Sequence, residues 1–396
     1  MEINKDELKI FRNTEIAFAL KSDAELDRAY WLFKLISSEP MVKIGSKITQ
    51  LALNAHLPVE GIIRATVFNH FCGGVTEEDC MPVIDKMYSK GVHSILDYSA
   101  EGKEDEKQFD KVVDITLRVM EFAREKPAMP FAVFKPTGIG RKDLYTKVSE
   151  GKELTDSEKT EWQRLLDRYE KVAKNAYEKD VPLLIDAEDY CMQKAADDIV
   201  ENLMEKYNKE KAVIFGTLQL YRKDRMDYIR ELHAKAKDKG YHIGMKLVRG
   251  AYMEKERERA ARLGYPDPIC KDKAATDRMY NDVMQYMFEH IDMMALYVGT
   301  HNEESSLLFK QLIDRSGLAK DDPRLWFGQL YGMSDHITYN LAALGYNVSK
   351  YLPFGPVKDV MPYLIRRADE NTSVGNQTNR ELELLQAERE RRKMAH

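Results

Sequence analysis

Several things are scarce in this 396-residue chain, and each scarcity closes off a class of function. The four cysteines (Cys72, Cys80, Cys191, Cys270) form neither a C-x-x-C pair nor a zinc spacing, so reduced, structural thiols are expected. No apolar run approaches the roughly 18 residues that a membrane span needs. Basic residues do not dominate: 61 Lys and Arg face 66 Asp and Glu, for a net charge of −5. No basic domain or arm stands out, and the nearest basic run, Arg389 to Lys393, is interrupted by Glu390, so nucleic acid is not an expected partner. No G-x-G-x-x-G follows a strand-like segment and no Walker A loop occurs, so the dinucleotide fingerprint is missing. Neither an internal repeat nor a low-complexity tract is found. The opening MEINKDELKIF reads as neither a signal peptide nor an Arg-rich transit peptide, and the expected location is cytoplasmic.

What is present is a soluble, core-forming composition, with 43% apolar and 32% charged residues. Residues 1–90 read as a helical region, with apolar positions at helical spacing in Ile16–Leu20, Trp31–Ile36 and Ile44–Ala55 and interruptions at Pro40 and Pro58. After Gly91 short strand-like runs alternate with amphipathic segments. The runs are His93–Tyr98, Phe131–Phe134, Pro182–Asp186, Val213–Leu218, His242–Val248, Met294–Gly299, Leu325–Leu330 and Asn347–Phe354. Eight strand-then-helix units in about 280 residues predict a (β/α)8 barrel, an α/β fold, over 91–375. A polar insertion from Gly138 to about Asp180, with a capping pattern at Thr155-Asp-Ser-Glu, predicts one or two extra helices. The charged tail 376–396 is expected to be a helix, either solvated or packed on the barrel.

In such a barrel chemistry happens where strands end. Asp97 follows the first run, Lys135 the second, Asp186 and Glu188 the third, and Gln219 the fourth. Lys246, Arg249 and Tyr252 belong to the fifth, Thr300, His301 and Asn302 to the sixth, Gln329 to the seventh and Tyr351 to the eighth. Any one of these has an ordinary structural explanation, but ionisable or polar residues after every strand are hard to assign to solvation alone. No metal is expected, because His301 lacks a second His at ligand spacing and Lys135 and Lys246 would compete for the carboxylates.

The stretch Tyr351 to Asn371, YLPFGPVKDVMPYLIRRADEN, anchors the whole reading. It starts as a strand, breaks at Gly355-Pro356, and restarts as a helix capped at Asp359, which puts Pro362 in the first turn. Tyr363, Arg366, Arg367 and Glu370 then fall at i, i+3, i+4 and i+7 and share one face. A pair of guanidiniums can grip a carboxylate or phosphate in bidentate fashion. By itself this pattern also suits a solvated charged face.

The motifs IDAEDYCMQ (185–193), GTLQLY (216–221), KLVRGAY (246–252), KAATD (273–277), GTHN (299–302), GQLYGM (328–333) and the 351–371 stretch occur in this order. Together they resemble the flavin-dependent, barrel-type proline dehydrogenases, from the third strand to the last helix. The resemblance implies FAD as cofactor and oxidation of L-proline to Δ1-pyrroline-5-carboxylate, with hydride leaving proline C5 for flavin N5. It implies that Arg366 and Arg367 hold the substrate carboxylate and that Lys135 lies against the proline. Tyr252, Leu330, Tyr351 and Tyr363 would wall the ring, Glu370 would support the arginines, and Asp97 and Asp186 would organise the pocket. Cofactor contacts are implied for Asp186, Ala187, Gln219, Lys246, Val248, Gly250, Ala251, Lys273, Thr300, His301 and Asn302. The family generally passes electrons to a membrane quinone, so a quinone reached by peripheral membrane contact is the implied partner.

Two positions depart from the family's commoner pattern. Lys246 stands where many members have arginine, a point charge in place of a planar fork. FKPTGIG replaces the usual lysine-leucine/valine-threonine/serine run after strand 2, which weakens the correspondence at Thr137. The rival on the same fold is a 4-hydroxyproline dehydrogenase, against which Tyr351 argues, because hydroxyproline-preferring relatives carry a smaller residue there. A Schiff-base aldolase using Lys135 or Lys246 would explain the lysines but not the motif combination. A binding scaffold leaves the ionisable strand ends unexplained.

Overall fold

The structure, a computed structural model, describes residues 4–37, 61, 64–99, 104–373 and 375–395. Eight strands are seen: β1 Val92–Tyr98, β2 Ala132–Phe134, β3 Leu183–Ile185, β4 Ile214–Gln219, β5 Ile243–Val248, β6 Met294–Gly299, β7 Leu325–Leu330 and β8 Val348–Phe354. They form one sheet in the order β1-β8-β7-β6-β5-β4-β3-β2, with helices between successive strands. This is the expected (β/α)8 class, nearly closed, with helices ahead of it. All eight expected strands are found, with ends shifted by a residue or so. The expected helix at Ile44–Ala55 lies outside the described residues.

Contacts divide the chain into two compact units, Lys103–Phe327 and the pair of segments Met1–Gly102 and Gly328–His396. In the first, β2 to β6 pair in parallel, with Ala132 opposite Leu183, Leu183 opposite Ile214, Phe215 opposite Gly244 and Ile243 opposite Met294. Parallel strands need long crossovers, and the long amphipathic helices Glu106–Glu125, Tyr190–Tyr207, Arg225–Lys239 and Lys273–Glu289 supply them. The 138–180 insertion forms the helices Lys142–Ser149 and Asp156–Lys179. Thr155 and Glu158 close the expected capping box on the second of these, Glu158 N–H donating to Thr155 Oγ1 at 3.3 Å and Thr155 N–H to the Glu158 carboxylate at 3.0 Å.

In the other unit β1 and β8 run parallel in register from Val92 opposite Val348 to Tyr98 opposite Phe354. Every residue of β8 is buried, Lys350 included. Its ammonium is tolerated because the Asp335 carboxylate lies 2.9 Å away, and Asp335 also meets Lys21 at 3.0 Å.

The helix after β8 runs Val357–Ser373, three residues earlier than a cap at Asp359 implies. Gly355, at φ +139°, makes the break, and the Pro356 carbonyl accepts from Asp359 N–H at 2.9 Å and Val360 N–H at 3.1 Å, so the helix starts at once. Pro362 therefore sits in the second turn rather than the first. Both Pro362 and Lys358, whose carbonyl loses its partner to the proline ring, face solvent, where water can replace the missing bond. The tail forms a helix as expected, but its packing partners are the N-terminal helices. Gly375–Ala395 is a helix, and Leu384 and Leu385 pack with Phe18, Leu26, Ala29 and Phe33 of the N-terminal helices. Arg389 and Arg392 then pair with Asp27 at 2.6 Å and Asp23 at 2.7 Å. The charge of this segment hid two leucines whose partners lie more than 350 residues earlier.

Burial pushes the Asp335 carboxyl up, but Lys21 and Lys350 more than reverse this and hold it well below the usual aspartate range. Its contribution to stability is thus fully present above the ordinary aspartate pKa and is lost as pH falls from there toward the depressed value. Asp335→Asn should leave two lysines without a counter-ion and destabilise the fold by about 3–5 kcal/mol, read by urea denaturation at pH 7.

Candidate active site

In the Lys103–Phe327 unit the ends of β2, β3 and β5 bring three charges together. Lys246, on β5, is buried and donates a hydrogen bond to Asp186 Oδ1 just past β3. Lys135, just past β2, faces the other carboxylate oxygen, Oδ2, at 3.8 Å. All three are needed to balance one another, since a lone ammonium or carboxylate in that setting would be costly. The lysines do engage a carboxylate.

Two residues along, Glu188 turns the other way. Its carboxylate accepts from Thr137 N–H at 2.8 Å and from Thr137 Oγ1 at 2.7 Å. Burial pushes this carboxyl up, and the two Thr137 hydrogen bonds hold it back in part. Gln219, buried at the end of β4, donates through Nε2 to the Glu188 carbonyl at 2.7 Å, while its Oε1 is buried without a hydrogen-bond partner. An orphaned acceptor of this kind is expensive unless a ligand or water donates to it. Ala187, between Asp186 and Glu188, is half-buried.

After β5 the chain reads Val248-Arg249-Gly250-Ala251-Tyr252. Gly250 adopts φ +123°, and a Cβ there would meet the Tyr221 ring at 2.5 Å, so only glycine fits. Ala251 is exposed and Tyr252 half-buried, with Lys255 Nζ 5.6 Å from its ring centre. Arg249 is the hub of this region. Its Nε donates to Asp277 at 2.8 Å, Nη1 to Thr300 Oγ1 at 2.8 Å and Nη2 to Ser305 Oγ at 2.9 Å, and its guanidinium stacks on Tyr280 at 4.4 Å. Asp277 also takes Lys273 at 2.6 Å. Burial pushes Asp277 up, yet Lys273 and Arg249 together hold it below its ordinary value. Thr300 Oγ1 accepts from Asn302 N–H at 3.1 Å, and Asn302 caps the Glu303–Ser316 helix through its bond from Ser305 N–H at 2.8 Å. His301 is half-buried between them. Three separate motifs, KLVRGAY, KAATD and GTHN, are thus one hydrogen-bonded assembly. Thr137, Glu188 and Arg249 are organising residues that motif reading left without a role. The signal for Arg249 was its place between two expected cofactor contacts.

In the other unit Asp97, at the end of β1, is buried and accepts from Ser99 Oγ at 2.9 Å. Tyr351 is buried on β8, and its carbonyl accepts from Tyr331 N–H at 2.8 Å. Tyr363 lies in an apolar cluster with Met333, Val360 and Leu364, against which Leu330 packs. Arg366, Arg367 and Glu370 lie on the Val357–Ser373 helix, and their side chains fall outside the described residues.

The thiols are inert by environment. Cys72, Cys80 and Cys270 are buried and unbridged, and burial raises each of them, Cys80 to about 12.

Comparison with known proteins bears on this geometry. Residues 80–380 match the family model for proline dehydrogenase. The chain is 36% identical over 334 residues to the carbapenem antibiotics biosynthesis protein CarD of Pectobacterium carotovorum subsp. carotovorum, covering 84% of this chain and 86% of that one. It is 30% identical to proline dehydrogenase 2, mitochondrial, of Arabidopsis thaliana, covering 98% and 90%. It is 31% identical to the hydroxyproline dehydrogenase of Xenopus laevis, covering 95% and 88%. Among solved structures, proline utilization A from Bdellovibrio bacteriovorus, inactivated by N-propargylglycine, superposes with a TM-score of 0.73 at 20% identity. That match covers 97% of this chain and 44% of the other, so the chain spans less than half of that protein, and the likeness speaks to fold alone. The family match makes the chain an oxidoreductase. The chain belongs to the proline dehydrogenase family.

Arg249→Lys keeps the charge but cannot reach three acceptors and lacks a planar face for Tyr280. It should lower stability by about 2 kcal/mol, measured by urea denaturation, as expected for loss of charge-assisted hydrogen bonds.

Proposed function

We propose that this protein oxidises L-proline to Δ1-pyrroline-5-carboxylate with FAD as cofactor. The observation that carries the reading is the Lys135–Asp186–Lys246 group, three charges from three strand ends. FAD, when bound, supplies the hydride acceptor for proline C5. Asp186, Ala187, Gln219, Lys246, Val248, Gly250, Ala251, Lys273, Thr300, His301 and Asn302 would hold it. One feature fits such a group: the orphaned Gln219 Oε1 calls for an N–H donor.

The remaining chemistry falls to the chain's own residues. Losing hydride from C5 requires an unprotonated ring nitrogen. A cationic, water-poor site lowers an ammonium pKa, and Lys135 beside the amine contributes to that field. Arg366 and Arg367 hold the carboxylate, Glu370 supports them, and Tyr252, Leu330, Tyr351 and Tyr363 wall the ring. Asp97 and Asp186 keep that wall and the lysines in place. Rate is thereby gained through orientation. Electrons then go to a quinone, reached by peripheral contact with a membrane. No helix of the described residues is long and apolar enough to cross one.

The test is a visible spectrum of the purified protein before and after anaerobic addition of L-proline. Bands near ~450 nm that bleach with proline are expected. A protein that neither carries flavin nor takes up FAD would overturn the reading. Arg366→Met and Arg367→Met should each raise the proline KM by about 100-fold or more with flavin retained, as loss of a bidentate carboxylate contact implies.

The relative named hydroxyproline dehydrogenase keeps 4-hydroxyproline as a second reading. Tyr351 is large and buried, which favours the unsubstituted ring. Tyr351→Ser should lower kcat/KM for proline and raise the hydroxyproline-to-proline ratio of kcat/KM by about 10-fold. An unchanged ratio would mean that Tyr351 does not set ring preference.

A further inference from the structure

We propose that Glu188 is a positioning residue that sets where the Lys135 ammonium lies, by clamping the turn after β2. The inference rests on reading Lys135 as a substrate contact. Lys135 caps the short 3-10 turn Pro136–Gly138 and closes it, its carbonyl accepting from Gly138 N–H at 2.8 Å. Thr137 is the middle residue of that turn, and both of its donors go to the Glu188 carboxylate. Glu188 is itself fixed at both backbone ends. Its N–H donates to Gln193 Oε1 at 2.8 Å, and its carbonyl accepts from Gln219 at 2.7 Å.

The outer side of the same turn is held by the 138–180 insertion. Tyr145 Oη donates to the Pro136 carbonyl at 3.0 Å and lies 3.0 Å from Tyr169 Oη. Arg168 Nη1 donates to the Ile139 carbonyl at 3.3 Å. Gly140 lies where a Cβ would sit 2.3 Å from Leu165 Cδ1, so the insertion's second helix packs directly on the backbone leaving the turn. A four-residue segment is thus gripped from one side by a carboxylate and from the other by Tyr145, backed by Tyr169, and by Arg168. The grip matters because the turn is built on Lys135 itself: its carbonyl closes the turn while its ammonium faces Asp186 Oδ2 at 3.8 Å, so a shift of the turn shifts the root of the lysine side chain. A buried carboxylate that takes both donors of one threonine would be a costly way to hold an ordinary loop. It makes sense where the loop carries a lysine that must be aimed.

The experiment compares proline KM, kcat and flavin content of the holoenzyme variants Glu188→Ala, Glu188→Gln, Thr137→Val, Thr137→Ser and Lys135→Ala. Glu188→Ala should raise KM by about 10-fold with a smaller change in kcat and full flavin content, since small misplacement of a contact is felt strongly. Glu188→Gln should recover to within about 3-fold of wild type, because its amide oxygen accepts from the Thr137 N–H and its amide N–H meets the hydroxyl as acceptor. Thr137→Val should raise KM and Thr137→Ser should restore it, which keeps the test decisive if Glu188→Ala does not fold. In the Lys135→Ala background, adding Glu188→Ala should raise KM no further, as coupling through a shared residue requires. If Glu188→Ala and Thr137→Val leave KM unchanged while Lys135→Ala raises it, the positioning role is wrong and the function stands. An effect of Glu188→Ala that persists undiminished without Lys135 would also overturn the role. Should Lys135→Ala itself leave KM unchanged, the substrate assignment of Lys135 fails, and the positioning role with it.

Discussion

A carboxylate set between two lysines, one of them buried, occurs in each compact unit of the described residues, and much else is arranged so that it can exist. In one unit Asp335 lies between Lys21 and Lys350. In the other Asp186 lies between Lys135 and Lys246. Each triad sets two ammoniums against one carboxylate, and a buried glutamate lies within electrostatic reach of each, Glu381 of Lys350 and Glu188 of Lys135. The two have different surroundings. Around Asp335 the chain supplies its own compensation, with the Met333 and Leu330 carbonyls accepting from the Lys350 ammonium. That triad is structural. Around Asp186 the polar groups nearby are committed elsewhere: Thr137 to Glu188, Glu188 to Thr137, and the Gln219 amide N–H to a backbone carbonyl. Gln219 Oε1, without a partner among the described residues, is the polar atom there that a ligand or water would satisfy.

The architecture was legible because the strand signals are local. Short β-branched and apolar runs separated by helix-length amphipathic segments left few alternatives to a parallel sheet with crossovers. The capping box at Thr155 was legible for the same reason, being a four-residue pattern. What could not be read were contacts between residues far apart in sequence. The terminal helix looked solvated because its composition is dominated by charge, yet Leu384 and Leu385 find Phe18 and Phe33. The start of the Val357–Ser373 helix was misjudged because Asp359 is a good cap by composition, whereas the Pro356 carbonyl had already taken that function.

The candidate site was partly legible in the same sense. That Asp186, Lys135 and Lys246 stand at strand ends follows from the alternation of runs. That Lys246 and Lys135 divide the two oxygens of a single carboxylate follows from the sheet register, which brings β2, β3 and β5 ends into reach of one another. Likewise Arg249 looked like one more basic residue in a motif. Its three acceptors, Asp277, Thr300 and Ser305, come from two later elements, and only the fold collects them.

The two departures from the commoner family pattern, lysine at 246 and FKPTG after β2, fall on either side of the same carboxylate. A guanidinium at 246 could take both Asp186 oxygens at once through its planar fork. An ammonium is a compact donor, and Lys246 engages Oδ1, while Oδ2 is turned toward Lys135. The lysine at 246 therefore places part of the work of balancing Asp186 on Lys135, which raises the demand on the turn that carries Lys135. In the same chain that turn begins with Pro136, whose ring fixes one backbone angle, and is held through both donors of Thr137. The lysine from β5 and the lysine mounted on the turn after β2 thus meet at one carboxylate, each facing one of its oxygens.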